Sequence, residues 1–251
     1  MVYLRDPSEI ERIRTSAQLV ARTLEMLGRE VRPGVTTGEL DKLAETFIRD
    51  HGGLPAFKGY RGFPASICPS LNEEVVHAIP GARELRDGDV IGIDVGVEKD
   101  GYFGDAARTF AVGAVSPQAE TLLRVTGEAL ARGIAQAAPG NRIGDISHAI
   151  QSHAEKHGFS VVRELLGHGI GRQMHEEPQV PNFGPPDRGP RLMAGQVLAI
   201  EPMVNVGRPD VLTQTDGWTV VTKDGSLSAH FEHTVAVGPE GPEILSHSSL
   251  W

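Results

Sequence analysis

The 251-residue chain has a single cysteine, Cys68, few aromatic residues (5%) and no long apolar run. One cysteine excludes an internal disulfide and favours a reducing compartment. No stretch reaches the roughly 20 apolar residues of a membrane-spanning helix. The first residues also lack the basic-then-apolar order of a signal peptide. We therefore expect a cytoplasmic protein that does not associate with a membrane.

An excess of positive charge is also missing, because 33 acidic residues outnumber 24 basic ones and the formal net charge is -9. Such a balance argues against stable nucleic-acid binding. The length suits one large domain with a sizeable core. We therefore expect a single catalytic domain over residues 1–251 that acts as a monomer.

Several common catalytic motifs are absent. His175 has no second histidine four residues on, which excludes the zinc-binding HExxH helix, and the chain has no Gly-x-Ser-x-Gly elbow. The glycine-rich run at 167–171 is not followed by Lys and Ser or Thr, so a phosphate loop is disfavoured. The chemistry must come from another set of residues.

Four carboxylates lie in apolar or glycine-rich runs that are typical of β-strands: Asp94, Asp105, Glu201 and Glu232. An unpaired carboxylate in a buried strand costs several kcal/mol, and these runs contain almost no lysine or arginine. Together with His168, the acids form a set of oxygen and imidazole ligands that suits Mn, Fe, Co or Zn. The sequence therefore predicts a hydrolytic centre with two divalent ions.

Any one of these acids could instead form an ordinary ion pair, and for Asp105 the partner could be Arg108. Asp94 and Asp105 are eleven residues apart, so a hairpin turn around Asp100 could bring them opposite each other. Four negative charges in one place would repel one another without cations. Metal binding therefore explains the whole set better than separate ion pairs do.

The chain shows signs of an internal duplication. Residues 32–40 match residues 138–146, and nearly the same register places Asp94 on Glu201. In each half, helical periodicity precedes strand-like runs. We expect an α+β fold made of two related halves, about 1–113 and 114–240, around a central antiparallel sheet that carries the ligands. We also expect Ser8 to cap the first helix and residues 178–191 to form a surface loop.

Eight motifs together make the chain resemble the type I methionine aminopeptidases, in their short bacterial form. The motifs are Ser70-Leu71-Asn72-Glu73, His77-Ala78-Ile79-Pro80, Ile93-Asp94-Val95-Gly96, Gly104-Asp105-Ala106-Ala107-Arg108-Thr109, Gly167-His168-Gly169-Ile170-Gly171, Ile200-Glu201-Pro202-Met203, Asp216-Gly217-Trp218 and Phe231-Glu232-His233-Thr234. The resemblance covers nearly the whole chain. It implies the pita-bread fold, which prolidase, proline aminopeptidase and creatinase share.

The resemblance implies removal of the N-terminal methionine from nascent proteins and peptides when the next residue is small. It implies that Asp94 binds one of two divalent ions (Co, Mn, Fe or Zn) and that Asp105 and Glu232 bridge both. His168 and Glu201 then complete the site of the other ion. By similarity, Glu201 also carries a proton from the attacking water to the leaving nitrogen.

The resemblance also implies roles around the metal centre. His77 and His175 stabilise the tetrahedral intermediate and orient the substrate backbone, while Tyr60, Cys68 and Trp218 form an apolar methionine pocket. Met174 stands where bacterial relatives usually have an aromatic residue. We expect it to line the pocket, with plain packing as an equal alternative. The residues assign no role to His230.

Two other functions remain open from the sequence. One is an aminopeptidase or dipeptidase that cuts before proline on the same scaffold. The other is an inactive module that binds nascent chains or ribosomes, which the retention of all five ligand types disfavours. For the active enzyme, the expected partners are nascent polypeptide N-termini, with transient ribosome contact.

Overall fold

The computed structural model describes residues 2–248. Four long helices occur as two pairs, each followed by strands: α1 Pro7–Glu30, α2 Thr37–Asp50, α3 Pro117–Ala135 and α4 Ile143–Lys156. None of the helices among the described residues is long and apolar enough to cross a membrane.

Fifteen strands of two to ten residues are found among the described residues. They are β1 Leu54–Pro55, β2 Ile67–Leu71, β3 Glu74–Val76, β4 Val90–Lys99, β5 Tyr102–Ala111, β6 Ser160–Val161, β7 Leu166–Gly169, β8 Glu176–Pro181, β9 Val197–Ile200, β10 Met203–Asn205, β11 Val211–Thr213, β12 Val220–Thr222, β13 Ser228–His230, β14 His233–Gly238 and β15 Gly241–Ile244.

The strands form four sheets, and all strand pairs within the sheets of the described residues are antiparallel. The strands β1, β2, β4 and β5 form the sheet that follows the first helix pair. The sheet that follows the second pair has the order β15-β14-β9-β7-β8. Two three-stranded sheets, β13-β10-β6 and β11-β12-β3, complete the fold.

Each helix pair packs on the sheet that follows it. One apolar cluster joins α1 and α2 to β4, with Leu24 and Ile93 both fully buried. A second cluster joins α3 and α4 to β9 and β14, with Ile150 and Leu198 fully buried. A smaller cluster around Ile13 combines residues from both halves. Most of the apolar core therefore lies between the helix pairs and the sheets. Buried polar residues lie where the sheet of β4 and β5 meets the sheet of β9 and β14.

This repeated order supports a proposal about the origin of the fold. We propose that residues 1–113 and 114–240 are duplicated halves, because each contains a helix pair and then an antiparallel sheet.

The structure corrects two local expectations. Helix α1 is capped by Asp6 and not by Ser8: the Asp6 carboxylate accepts hydrogen bonds from the backbone N–H groups of Ser8 (2.8 Å) and Glu9 (2.9 Å). Residues 178–191 are not loop throughout, because residues 178–181 belong to β8 and Asn182 is fully buried. The first error arose because Pro7 occupies the first helical position and thereby starts the helix earlier.

Candidate metal centre and substrate cleft

Two acids of the predicted cluster lie on one hairpin. Strands β4 and β5 are joined at Asp100 and Gly101, whose φ angles of 53° and 79° are those that a tight hairpin turn requires. Asp94 pairs with Ala107, and Asp105 pairs with Gly96. The two acids are therefore diagonal neighbours on one face of the hairpin. The sequence had suggested that they lie directly opposite each other.

Arg108 does not share that face. Side chains alternate along a strand, so Arg108 points away from the side that carries Asp105. Its guanidinium lies over the rings of Phe110 (5.8 Å) and Phe231 (5.9 Å). The alternative interpretation of Asp105 as an Arg108 ion pair is therefore wrong.

The other three predicted ligands come from the second sheet. His168 lies in β7, Glu201 directly follows β9, and Glu232 directly precedes β14. Strand β9 is hydrogen-bonded to both other strands, with His168 paired to Ala199 and His233 paired to Ile200. This register brings all three side chains to the same end of β9.

Hydrogen bonds between β5 and the start of β14 join the two sheets at the site. The backbone N–H of Asp105 donates to Thr234 Oγ1 (3.0 Å), and the same hydroxyl donates to the Asp105 carbonyl (2.7 Å). The Glu232 N–H donates to the Ala107 carbonyl (2.8 Å). The backbones of Asp105 and Glu232, two of the predicted ligands, are therefore held in place by these hydrogen bonds between the two sheets.

The structure brings the five predicted ligands together around one cavity. One ligand atom each from Asp105, His168 and Glu232 lies within 4.8 Å of the others. His168 Nε2 is 3.6 Å from a carboxylate oxygen of Glu201. His168 Nδ1 donates to the carbonyl of Gly169 (2.8 Å), which leaves the Nε2 lone pair available for a metal.

The electrostatics of the cluster fit bound cations. Burial raises the pKa of Asp94 to about 7. Burial and then the charges of the neighbouring acids raise the pKa values of Asp105, Glu201 and Glu232. Oxygen atoms of Asp94, Asp105 and Glu232 are buried without a hydrogen-bond partner. Neighbouring acids whose charged forms are disfavoured, and which carry unpartnered oxygens, form a donor set that divalent ions would satisfy.

A cavity of about 140 Å³ is lined both by this cluster and by apolar side chains. A cavity of about 150 Å³ accommodates a group of benzene size, so this one suits a single side chain. Its apolar wall contains Phe63, Cys68 and Trp218, with Phe63 and Trp218 in edge-to-face contact at 5.2 Å. The Asp216 carboxylate accepts hydrogen bonds from the N–H groups of Trp218 and Thr219 and so fixes the turn that carries Trp218.

Two histidines, His77 and His175, line the cavity together with the acids and the apolar wall. His175 is hydrogen-bonded through Nδ1 to the Tyr60 hydroxyl (2.9 Å), and its ring centroid lies 4.1 Å from that of His168. Burial, and secondly the neighbouring His168, lower the pKa of His175. Burial also lowers the pKa of His77, whose backbone has a φ of 59°. Both rings are therefore neutral near pH 7 and can each donate one hydrogen bond.

The structure does not bring Met174 into this cavity. Met174 is 1% exposed and lies outside the set of cavity-lining residues. The other residues expected to bind substrate all line the cavity, namely Tyr60, Cys68, His77, His175 and Trp218. Plain packing, the alternative for Met174, is therefore the better interpretation.

Sequence reasoning missed four residues of the site. Phe57, Arg61 and Phe63 line the cavity from the segment between β1 and β2. His230 is 3% exposed, and its Nε2 lies 3.7 Å from Glu201 and 3.9 Å from Glu232. The motif at 231–234 directly after His230 was the signal that could have identified it.

Comparisons with known proteins agree with this geometry. The model of metallopeptidase family M24 matches residues 11–239. A methionine aminopeptidase of Clostridium perfringens is 56% identical, with 98% of this chain and 99% of that protein covered. Methionine aminopeptidase 1 of Bacillus subtilis is 52% identical over the same shares of both chains.

Solved structures show the same fold. The crystal structure of methionine aminopeptidase from Rickettsia prowazekii superposes with a TM-score of 0.97 at 43% identity and covers 98% of this chain and 100% of that one. Prolidase from Pyrococcus furiosus, at 20% identity, has a TM-score of 0.81 over 98% of this chain and 66% of its own. The prolidase likeness establishes the fold alone.

An α+β scaffold in which buried acids and apolar side chains line one cavity, together with the match to a metallopeptidase family, defines a metal-dependent peptidase. The chain belongs to metallopeptidase family M24, within its methionine aminopeptidase group. The family and the pita-bread fold that the motifs predicted are thereby confirmed.

Proposed function

We propose that this chain hydrolyses the N-terminal methionine from peptides and nascent proteins with the help of two divalent ions. The observation that carries the proposal is that the five predicted metal ligands line one cavity of about 140 Å³ together with apolar side chains. A cavity of this volume suits one side chain, which favours release of a single terminal residue. The preference for a small second residue rests on the likeness to the methionine aminopeptidases.

Five residues would hold the ions. Asp94 would bind one, Asp105 and Glu232 would bridge both, and His168 and Glu201 would complete the other. Bound there, Co, Mn, Fe or Zn would lower the pKa of a water molecule and polarise the first peptide carbonyl. The unpartnered oxygens of Asp94, Asp105 and Glu232 support this assignment.

Glu201 is the proposed proton carrier. Its side chain is 14% exposed, so it borders the cleft, and burial raises its pKa. A raised pKa makes this carboxylate a stronger proton acceptor than an ordinary glutamate. Glu201 can therefore receive a proton from the attacking water and pass it to the leaving nitrogen.

His175 and His77 are the proposed hydrogen-bond donors to the reacting peptide. When the Tyr60 hydroxyl donates to His175 Nδ1, the ring proton resides on Nε2 and faces the cleft. A neutral imidazole donor of this kind stabilises charge that develops on the carbonyl oxygen. The left-handed backbone of His77 supports a functional position, because such strain clusters at active sites.

The apolar wall would select the methionine side chain. An unbranched thioether gains dispersion and sulfur–aromatic contacts against Phe63 and Trp218. A charged side chain would lose its hydration without finding a partner on that wall.

Peptide assays test the function. With Mn, Co or Fe, the chain is expected to release methionine from Met-Ala-Ser much faster than from Met-Leu-Ser and to leave Ala-Pro peptides uncut. An Asp105→Asn variant should be inactive with every metal, which excludes a contaminating peptidase. Cleavage of Ala-Pro peptides alone would instead indicate a peptidase that cuts before proline. No cleavage with any of the metals would favour the inactive binding module.

The cellular setting is part of the same proposal. We propose a cytoplasmic monomer that meets nascent chains at the ribosome, and the single cysteine supports the reducing compartment. Light scattering at micromolar concentration should give the monomer mass, and co-sedimentation should detect ribosome contact that salt weakens. A stable dimer, or no co-sedimentation at low salt, would contradict these two points.

A further inference from the structure

Two histidines and a glutamate converge on the outer face of the helix pair α3 and α4. His153 lies in the last turn of α4, His157 is its C-cap residue, and Glu128 faces them from α3. Residues four apart lie on the same side of a helix, and the two imidazole centroids are 4.6 Å apart. The three side chains line a cleft of about 580 Å³ that shares no lining residue with the catalytic cavity.

The ligand atoms are close enough to share one ion. His153 Nε2 lies 2.8 Å from Glu128 Oε2, and one ligand atom of each of the three residues lies within 4.8 Å of the others. Metal bonds of about 2.0–2.1 Å in a tetrahedral site would separate ligand atoms by about 3.3 Å. His157 is exposed and the Glu128 side chain is 41% exposed, so both can rotate the short distance required.

Hydrogen bonds prepare both rings for metal binding. His157 Nδ1 lies 2.9 Å from the backbone carbonyl of His153, and because a carbonyl only accepts, this nitrogen carries the ring proton. The Nε2 lone pair of His157 is therefore available. Burial lowers the pKa of His153, so this ring is also neutral at pH 7. An ion at His153 Nε2 would replace the proton shared with Glu128, and the remaining ring proton would sit on Nδ1.

Neighbouring charges set the strength of such a site. Arg124 donates to Glu128 Oε1 (2.8 Å), which leaves Oε2 facing His153. Arg132 and Lys156 also line the cleft, and their positive charges oppose a cation. Binding should therefore be weaker than at the acid-rich catalytic cluster.

We propose that Glu128, His153 and His157 bind one zinc-class ion that ties α3 to α4, with water at the fourth position. Two imidazoles and one carboxylate select Zn, Ni, Cu or Co, whereas Mn and Mg prefer sites made of oxygen. This site lies outside the proposed catalytic function. It implies that the chain binds one more equivalent of zinc than of manganese.

Metal counting tests the site. The full chain is dialysed against Zn²⁺, and its zinc content is compared with that of His157→Gln and of His148→Gln, a histidine that lines the same cleft outside the trio. The unaltered chain and His148→Gln should retain one zinc per chain more than His157→Gln. With Mn²⁺ the three proteins should be equal. Equal zinc content in all three would overturn the proposal.

A second measurement does not depend on any variant. Anomalous diffraction at the zinc edge from crystals of the unaltered chain should show a peak between Glu128, His153 and His157. No peak there at saturating zinc would refute the site. Mn-supported peptidase activity should be the same in His157→Gln, so failure of the catalytic proposal and failure of this one give different results.

Discussion

Among single residues, Asp94 gives the sharpest test of the metal ligands. Asp94→Asn keeps the size of the side chain but removes the charge that would bind an ion. We expect at least one ion per chain to be lost and kcat/KM to fall at least about 100-fold, because even residues that only support a ligand are worth about 10–100-fold. Elemental analysis and the Met-Ala-Ser assay measure both.

A matched control lies on the same hairpin. Asp100 is exposed at the turn with a φ of 53°, a conformation that asparagine tolerates. Asp100→Asn changes the net charge equally and should keep full activity and full metal content. Full activity and metal content in Asp94→Asn would show that Asp94 is not a ligand.

Tyr60 provides a second residue test. Tyr60→Phe removes the hydroxyl that lies 2.9 Å from His175 Nδ1 but keeps the ring that stacks on the imidazole. Loss of one hydrogen bond worth about 0.5–1.5 kcal/mol should reduce kcat up to about tenfold while KM changes little. A fall in affinity at unchanged kcat would indicate that Tyr60 contacts only the methionine side chain.

At the residue scale, the cluster of buried acids could be predicted and part of the pocket could not. Asp94 and Glu201 stand out because a charge within an apolar strand run requires a partner. Arg61 and Phe63 come from an irregular segment in which no periodicity indicates the direction of a side chain. His230 occupies a β13 position whose pattern does not differ from that of an ordinary buried histidine.

At the scale of helices and strands, the contact between α1 and β5 depends on Gly104. A Cβ at this position would lie 2.4 Å from the backbone nitrogen of Ala17. Gly104→Ala should therefore push β5 away from α1 and lower the free energy of unfolding by about 1–3 kcal/mol. Because Asp105 is the next residue, activity should fall as well. Urea unfolding and the peptide assay measure the two effects.

Gly127→Ala in α3 is the matched substitution, and it should change the free energy of unfolding in the opposite direction. A Cβ there would meet only Phe231, at 3.8 Å. Alanine is the better helix former, so Gly127→Ala should raise the free energy of unfolding by about 0.5–1 kcal/mol. Equal effects of the two substitutions would contradict the tight packing at Gly104.

Element boundaries followed from the sequence where one signal dominated. Helical periodicity and the turn at 100–101 predicted the helix pairs and the first hairpin, because these signals are local. Strand β8 was missed because its two prolines resemble a loop, yet it pairs with β7 through Leu166 and Pro181. Tertiary pairing that overrides local composition cannot be deduced from composition.

For the whole molecule, stability should depend on metal and pH together. The pKa of Asp94 is raised to about 7 in the folded chain, so its neutral form stabilises the metal-free fold below about pH 3.8 and that contribution is lost as pH rises to about 7. Ions must displace protons from the acids whose pKa values are raised. Burial lowers the pKa of His168 to about 4, so this ring has no extra proton to lose above pH 5.5. The melting-temperature gain from Mn²⁺ should therefore increase from pH 5.5 to pH 7.5.

Scanning calorimetry of chelator-treated and Mn-loaded protein measures this gain. Zn²⁺ is left out, because the additional site proposed on α3 and α4 would add its own stabilisation. A gain in melting temperature that stays constant or declines with pH would mean that the ions do not displace protons from the buried acids.

Anomalous diffraction at the manganese edge tests the central claim most directly, since it locates ions without any assumption about activity. Crystals grown with Mn²⁺ should show two neighbouring peaks among Asp94, Asp105, His168, Glu201 and Glu232. An ordered cleft without peaks at saturating Mn²⁺ would contradict the account.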